Sequence, residues 1–231
     1  MSRGGQLKVS RTRNIPFPNE YIKAIYGEFS HWCFDEEQVV DFRGNWRGLA
    51  FDSDREFQPL DLEIGTGNGT HFARLAQEHP ERLFVGIELK YKPMIQSIRR
   101  AVRAGCTNAR MARYNAALIS ELFDPGELND VYIHFPDPWS RQRQHKHRLI
   151  QDEFLHRLFN AQRPGSIVDF KTDNRDYFDW AMRKFSAGPY SIEALTYDLH
   201  ASGHKNGNFV TQFESIFLRQ GLPIHWARLR R

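Results

Sequence analysis

Residues 61–69, which read DLEIGTGNG, carry the clearest chemical signal in the sequence. Glu63 precedes Gly65 and Gly67 at the point where a short apolar run ends. Glycine adopts positive φ without steric cost and admits a ligand close to the backbone, so the two glycines predict a ligand-binding turn. Glu63 would repel a pyrophosphate, but it would attract the cationic end of an amino acid or a sulfonium ion. A purely structural turn is the alternative.

Two common nucleotide-binding motifs do not fit this segment. The dinucleotide motif GxGxxG requires glycine where Thr70 stands, and the phosphate-binding motif GxxxxGKS/T occurs nowhere in the sequence. The sequence therefore disfavours both a nicotinamide cofactor and nucleotide hydrolysis through a phosphate-binding loop.

Two polar residues follow the next two predicted strands. Glu88 ends the second strand, where a carboxylate can accept hydrogen bonds from both hydroxyls of a ribose. An exposed charge at a strand end is the alternative. Asn115 follows the third strand, and its position alone suggests that it reads an adenine edge. Together with the turn at Glu63, this layout is typical of S-adenosylmethionine-dependent methyltransferases.

From Leu60 onwards, short apolar runs alternate with longer amphipathic segments, a pattern typical of βα units. We expect an α/β fold, a Rossmann-like doubly wound and mostly parallel sheet with helices on both faces. The predicted strands cover residues 60–64, 83–87, 110–114, 131–135 and 167–170. The predicted helices cover residues 70–78, 93–103, 117–123, 149–159 and 176–185.

Three parts of the chain differ in composition. Residues 1–19 are polar and basic and predict a mobile arm. Residues 20–57 contain irregularly spaced aromatic side chains and predict a short helical extension packed on the core. Residues 58–231 would form the methyltransferase domain.

The net charge of +4 conceals a segregated distribution. Basic residues without any acidic residue occupy four runs, at 1–19, 89–120, 139–148 and 215–231. Such runs favour a basic face for a polyanion such as nucleic acid, although solvated helix faces are the alternative.

The composition also bounds location and assembly. The sequence has no apolar stretch of about 20 residues and no apolar leader, and its two cysteines form no CxxC pair. We therefore expect a cytoplasmic protein that has no membrane segment and binds no metal. A monomer or a weak homodimer is expected, and a partner subunit is left open.

Four motifs follow one another along the second half of the chain. Residues 135–139 read FPDPW, a basic stretch covers residues 141–148, Thr172-Asp173 follows, and residues 211–214 read TQFE. In this order and spacing they resemble the PDPW, basic, TD and TxFE motifs of the tRNA (guanine-N7)-methyltransferases. The resemblance runs from about residue 60 to residue 214.

The resemblance implies methyl transfer from S-adenosylmethionine to guanine N7 of tRNA, at position 46 in the variable loop, with S-adenosylhomocysteine as product. Six residues would bind the cofactor, and the last of them would also occupy the catalytic position: Glu63, Gly65, Gly67, Glu88, Asn115 and Asp137. Six would contact the substrate: Arg141, Asp173, Thr211, Gln212, Phe213 and Glu214. Three cations of the basic stretch are candidate phosphate contacts: Arg143, Lys146 and Arg148. Arg141 stands where lysine is usual, which keeps the cation but changes its geometry.

The chemistry of guanine N7 agrees with this set of residues. N7 has a lone pair and no proton, so methylation needs alignment rather than a general base. Asp137, Asp173 and Glu214 could stabilise the positive charge that moves onto the purine, and carboxylates accept from the N1 and N2 donors of guanine. Trp139 would stack on a base or pack in the core.

Two rival functions remain at this point. An amino-group methyltransferase acting on another nucleic acid or on protein has a similar proline-aromatic loop after the fourth strand. A noncatalytic RNA-binding subunit could keep the fold without cofactor, but the intact Glu63, Gly65, Gly67 and Glu88 argue against it.

Overall fold

An eight-stranded sheet organises the fold across residues 19–52, 58–205 and 207–231, which the computed structural model describes. The strands are β1 (Cys33–Phe34), β2 (Leu60–Ile64), β3 (Leu83–Glu88), β4 (Ala109–Arg113), β5 (Val131–His134), β6 (Ile167–Thr172), β7 (Ser191–Thr196) and β8 (His225–Arg230). Their order is β1-β4-β3-β2-β5-β6-β8-β7. The neighbours from β1 to β6 pair in parallel, whereas β8 is antiparallel to both β6 and β7.

Helices connect the strands. The α-helices are α1 (Glu20–Tyr26), α2 (Trp46–Phe51), α3 (Thr70–Glu78), α4 (Tyr91–Arg103), α5 (Asp152–Ala161), α6 (Arg175–Ala187) and α7 (Gln212–Arg219). Short 3-10 helices cover Val39–Phe42, Ala116–Glu121, Gln142–His147 and Gly203–Lys205. None of the helices in the described part of the chain is long and apolar enough to cross a membrane.

The two larger apolar cores among the described residues lie on opposite faces of the sheet. Val85 belongs to the larger core, which contains side chains of α5 and α6, while the adjacent Phe84 belongs to the core under α3 and α4. Because successive side chains of a strand point to opposite faces, helices cover both faces. The expected doubly wound α/β fold is confirmed.

The sequence-based boundaries hold best at the centre of the sheet. β2 and α3 begin and end where predicted, whereas the helix predicted at 117–123 is the 3-10 helix Ala116–Glu121. The helix predicted from residue 149 begins at Asp152, because the preceding Gln151 is extended. β7, α7 and β8 were not predicted. Residues 20–52 contribute α1, α2 and the edge strand β1. The domain boundaries stay a prediction. The predicted basic arm at 1–19 falls almost entirely outside the described residues.

The turn after β2 depends on a close contact between α3 and α4. Gly69 caps α3 with φ of +75°, and a Cβ atom there would lie 2.3 Å from Ser97 Cα. A side chain would therefore meet backbone that cannot rotate away. Glycine at position 69 lets the start of α3 lie against α4.

Replacement of Gly69 by alanine should lower the free energy of unfolding by about 2–5 kcal/mol, through the strain of positive φ and through overpacking. Gly126→Ala is the matched control, because Gly126 has a φ of +73° and open space around the added Cβ. That control should lose only about 1–2 kcal/mol in urea unfolding. Equal losses for the two variants would contradict the role given to the contact with Ser97.

Candidate active site

The carboxyl ends of the parallel strands meet at one edge of the sheet, where α/β proteins bind ligands. Gly65 and Gly67 follow β2 with φ of +76° and +57°. A Cβ atom at Gly65 would meet no atom within 4 Å, and one at Gly67 would meet only the Phe213 ring at 3.8 Å. The turn therefore leaves the backbone accessible, as a ligand-binding turn requires.

Glu63 lies at the end of β2 and is 4 % exposed. Its Oε2 is 2.8 Å from Nδ1 of His71, which is in the first turn of α3 and 6 % exposed. The carboxylate is thus buried beside an imidazole and close to the open turn. The sequence analysis missed His71, since a single histidine on an amphipathic helix gives no signal of its partner.

Glu88 lies at the end of β3 and is partly buried. Its Oε1 accepts hydrogen bonds from the backbone N–H groups of Leu89 at 2.9 Å and Lys90 at 3.3 Å. Burial raises the pKa of Glu88, while backbone hydrogen bonds from Lys90, Leu89 and Gly67 act in the opposite direction. The bond from Gly67 joins the two predicted cofactor-binding segments.

Asn115 caps the 3-10 helix that follows β4. Its side-chain oxygen accepts a hydrogen bond from the Ala117 N–H at 3.1 Å, and the residue is partly buried. The cap holds the side chain in place, so the groups suited to a base edge are its amide NH2 and the neighbouring backbone.

Asp137 lies between two strained residues. Phe135 has φ of +52° and Trp139 has φ of +44°, values that are uncommon for bulky side chains. Two hydrogen bonds hold the loop, from Phe135 N–H to the Lys171 carbonyl and from Arg148 Nε to the Pro138 carbonyl, each at 2.8 Å. Such strain persists where surrounding contacts enforce it, and it is concentrated at functional sites. The loop presents Asp137 exposed to solvent.

Trp139 is partly buried and belongs to neither large core. Its ring centroid is 5.3 Å from that of His147, which lies in the basic stretch. The alternative of a core-packing aromatic therefore does not apply.

The basic stretch forms the 3-10 helix Gln142–His147. Arg141, Arg143 and Lys146 are exposed. Arg148 is only 3 % exposed, and its guanidinium lies 5.1 Å from the ring centroids of both Tyr177 and Trp180. Burial lowers the pKa of Arg148. The guanidinium of Arg148 is enclosed and holds the Pro138 carbonyl, which disfavours the predicted phosphate contact of Arg148.

Two cations of the run at 89–120 are also internal. Arg110 Nε donates to the Ala50 carbonyl at 2.6 Å, and burial lowers the pKa of Arg110 to about 10. Arg113 is paired with Glu36 at 2.6 Å. This run is therefore only partly a surface for a polyanion.

The predicted substrate residues fall into exposed and buried groups. Asp173 lies just after β6 and is partly buried, and burial raises its pKa. Gln212 is exposed and Phe213 is 51 % exposed. Thr211 caps α7 through a capping box with Glu214. Phe213 approaches the glycine turn, so α7 borders the site.

Glu214 is fully buried, and both oxygens of its carboxylate contact other side chains. Oε1 accepts hydrogen bonds from Asn208 Nδ2 and lies 2.7 Å from His200 Nε2. Oε2 is 3.3 Å from the buried Lys171 Nζ, which also donates to Asn208. These contacts tie α7 to β6. Because the Glu214 carboxylate has no exposed surface, its burial disfavours the predicted contact between Glu214 and guanine.

A second buried polar group lies on β5 and β6. His134 Nε2 is 2.8 Å from Asp169 Oδ1, and Trp226 Nε1 donates to Asp169 Oδ2 at 2.8 Å. Burial, with Lys171 and His71 nearby, lowers the pKa of His134 to about 3. Burial alone would raise the pKa of Asp169. The hydrogen bond from His134 and the nearby Lys171 cation instead lower this pKa to about 2. The sequence analysis missed this group.

Within residues 19–52, 58–205 and 207–231, no three histidine, cysteine or acidic side chains are grouped so that they could hold a metal ion.

Comparison with known proteins agrees with this geometry. Residues 57–227 match the family described as "Putative methyltransferase". Among solved structures, an antibiotic-related methyltransferase is similar over 97% of this chain and 98% of its own, with a TM-score of 0.55 and 15% identity. The 16S rRNA methyltransferase KamB is similar over 75% of this chain and 87% of its own, with a TM-score of 0.54 and 14% identity. At such low identity, these similarities show the fold.

Sequence relatives are more specific. A tRNA (guanine-N(7)-)-methyltransferase of Bdellovibrio bacteriovorus is 51% identical over 208 residues, 90% of this chain and 99% of the relative. Enzymes of the same name from Lachnoclostridium phytofermentans and Bacillus subtilis are 33% and 31% identical, over 93% and 82% of this chain and 95% and 87% of their own. With the glycine turn, the strained FPDPW loop and the α7 capping motif on one sheet edge, the chain belongs to the tRNA (guanine-N7)-methyltransferase family.

Proposed function

We propose that the protein transfers the methyl group of S-adenosylmethionine to N7 of a guanine in tRNA. The observation that carries this proposal is the exposed Asp137, held on a strained loop at the sheet edge that also holds Glu63 and the open glycine turn. The resemblance of the motifs makes guanine 46 of the variable loop the proposed target.

The residues at this edge fit the proposed cofactor. Glu63 supplies a buried carboxylate for the cationic amino-acid end, and the open space at Gly65 admits a ligand against the backbone. Glu88 would accept the ribose hydroxyls, Asn115 would contact the adenine, and Asp137 would complete the site. When bound, the cofactor supplies an electrophilic methyl group on a sulfonium.

The protein's own residues would then align the guanine. N7 has no proton to remove, so the required work is placement and electrostatic stabilisation of the charge that arrives on the purine. Asp137 has the position for this role, and Asp173 can accept from the donor edge of guanine. Arg141 and the exposed Gln212 and Phe213 remain proposed substrate contacts.

Glu214 receives a different role in this proposal. A carboxylate with no exposed surface and hydrogen bonds to several side chains acts through α7 rather than on the base. Glu214 and Lys171 would hold Gln212 and Phe213 at the border of the site.

Replacement of Asp137 by asparagine should slow single-turnover methyl transfer by about 100-fold or more, because the charge is lost while the shape is kept. The product should still be 7-methylguanosine, since N7 needs no base. The control Asp41→Asn changes an exposed carboxylate on another element and should keep the wild-type rate. Nucleoside mapping of labelled tRNA checks both points. A methyl group on an exocyclic amine would favour the amino-group rival and end the proposal.

The log of tRNA affinity should fall linearly with the log of salt concentration, because phosphate contacts release counterions. Arg143→Ala and Lys146→Ala should each reduce the slope by about 0.7–0.9. Lys23→Ala, an exposed cation outside the four basic runs, should leave the slope unchanged. Filter binding across a salt series measures this. Equal slopes for all three variants would remove the basic stretch from the RNA interface.

Glu214→Gln should lower the free energy of unfolding by about 3–5 kcal/mol, because it removes the carboxylate that forms an ion pair with the buried Lys171. Asp173→Asn, which changes the partly exposed carboxylate, should lower activity and leave stability within about 1 kcal/mol of wild type. Urea unfolding and steady-state kinetics distinguish the two. Full stability of Glu214→Gln together with lost activity would restore a direct contact between Glu214 and guanine.

A further inference from the structure

A chain of buried polar side chains extends from Glu63 across one face of the sheet. Glu63, Tyr132 and Asp169 are register partners in β2, β5 and β6, so they share that face. The His71 and His134 rings lie between the two carboxylates with their centroids 4.5 Å apart. The face that is apolar under α4 is therefore polar beside the candidate active site.

Asp169 holds the inner half of this chain through two hydrogen bonds. Asp169 is ionised and accepts from both His134 Nε2 and Trp226 Nε1. The 2.8 Å contact with Asp169 places an N–H of His134 on Nε2, and burial lowers the pKa of His134, which favours the neutral ring. Its Nδ1 is buried without a partner among the described residues. The His134 ring is thus held from one side only, and its other side packs against His71.

The outer half of the chain is a single hydrogen bond. A carboxylate oxygen accepts hydrogen bonds, so in the 2.8 Å contact the N–H lies on His71 Nδ1 and donates a hydrogen bond to Glu63 Oε2. Among the described residues, this is the one hydrogen bond to the Glu63 carboxylate. It occupies one oxygen and leaves the other for a ligand.

His71 is itself held in place from two directions. It lies in the first turn of α3, whose start is fixed by the close contact between Gly69 and Ser97. Its ring also packs edge-on against Tyr132, with centroids 5.4 Å apart. A side chain so confined can fix the orientation of the carboxylate that it contacts.

We propose that His71 is a positioning residue for the methyl donor. It holds the Glu63 carboxylate in the orientation in which the second oxygen receives the cationic amino-acid end of the donor. This inference rests on the proposed assignment of Glu63 to the cofactor.

The test uses variants that move or remove one donor. In His71→Asn the side-chain nitrogen takes the place of Nδ1, in His71→Gln it takes the place of Nε2, and His71→Leu has no donor. Titration calorimetry with S-adenosylhomocysteine, without tRNA, measures affinity directly. The Leu and Gln variants should bind about tenfold more weakly or worse, and the Asn variant should stay within about threefold of wild type.

Steady-state kinetics give a second readout. For the Leu and Gln variants the KM for the methyl donor should rise about tenfold while kcat at saturating donor stays within about threefold of wild type. His79→Leu changes a partly exposed histidine at the other end of α3 and should alter neither value. The Gln variant keeps a polar side chain at position 71, so it carries the test if the Leu variant does not fold.

Glu63→Gln separates this inference from the proposed function. Unchanged affinity of Glu63→Gln would show that Glu63 does not bind the cofactor. It would overturn the assignment of Glu63 and the positioning role of His71, while the proposed methylation of guanine N7 would still stand or fall with the nucleoside mapping. Weaker binding by Glu63→Gln with wild-type binding by the Leu or Gln variants of His71 would overturn only the positioning role. Equal losses for Asn, Gln and Leu would also overturn it, because the location of the donor would then not matter.

Discussion

The close approach of backbone segments around the turn after β2 determines the geometry of the whole sheet edge. At Gly69 an added Cβ would lie 2.3 Å from the backbone atom Ser97 Cα. At Gly86 it would meet side chains, 2.4 Å from Met111 Sδ and 2.7 Å from Thr66 Cγ2. The Ser97 hydroxyl completes the contact through hydrogen bonds with Thr66 and the Gly67 carbonyl. A turn packed this tightly has few alternative conformations, which is the condition for presenting backbone to a ligand.

Buried charges then connect this turn to the rest of the site. A buried charge is tolerated when it is paired and hydrogen-bonded, and each such pair here joins two elements. Glu63 with His71 joins β2 to α3, and Lys171 with Glu214 joins β6 to α7. Arg148 likewise joins the FPDPW loop to α6. The predicted site residues therefore include anchors in the interior as well as groups available to ligands.

The sequence predicted the parts of this arrangement that depend on local periodicity. β2 and α3 follow from an apolar run, glycines and an amphipathic segment, and the structure has them at the predicted residues. Charge runs were less informative, because they reveal the residue type but not the direction in which the side chain points. Arg110, Arg113 and Arg148 belong to basic runs and are all buried against carbonyls, aromatic rings or a carboxylate. The sequence analysis did not predict β8 because its alternating Arg228 and Arg230 resemble a basic tail.

The pairing of Glu63 with His71 could not have been found from spacing alone, because it depends on the angle at which α3 leaves the turn. That angle matters for the proposed chemistry. Methylation of a nitrogen that carries no proton is governed by alignment, so rigidity of the surrounding groups contributes more than their acidity. Phe135 and Trp139 hold positive φ on either side of Asp137 at a cost of about 1–3 kcal/mol each, which the contacts of Lys171 and Arg148 must offset. The same two residues also contact the neighbouring elements. Lys171 holds Phe135 through its backbone carbonyl and contacts Glu214 of α7 through its side chain. Arg148 ends the basic stretch and holds the Pro138 carbonyl through its guanidinium, so the loop that holds Asp137 and the surfaces proposed to meet tRNA are anchored by shared residues.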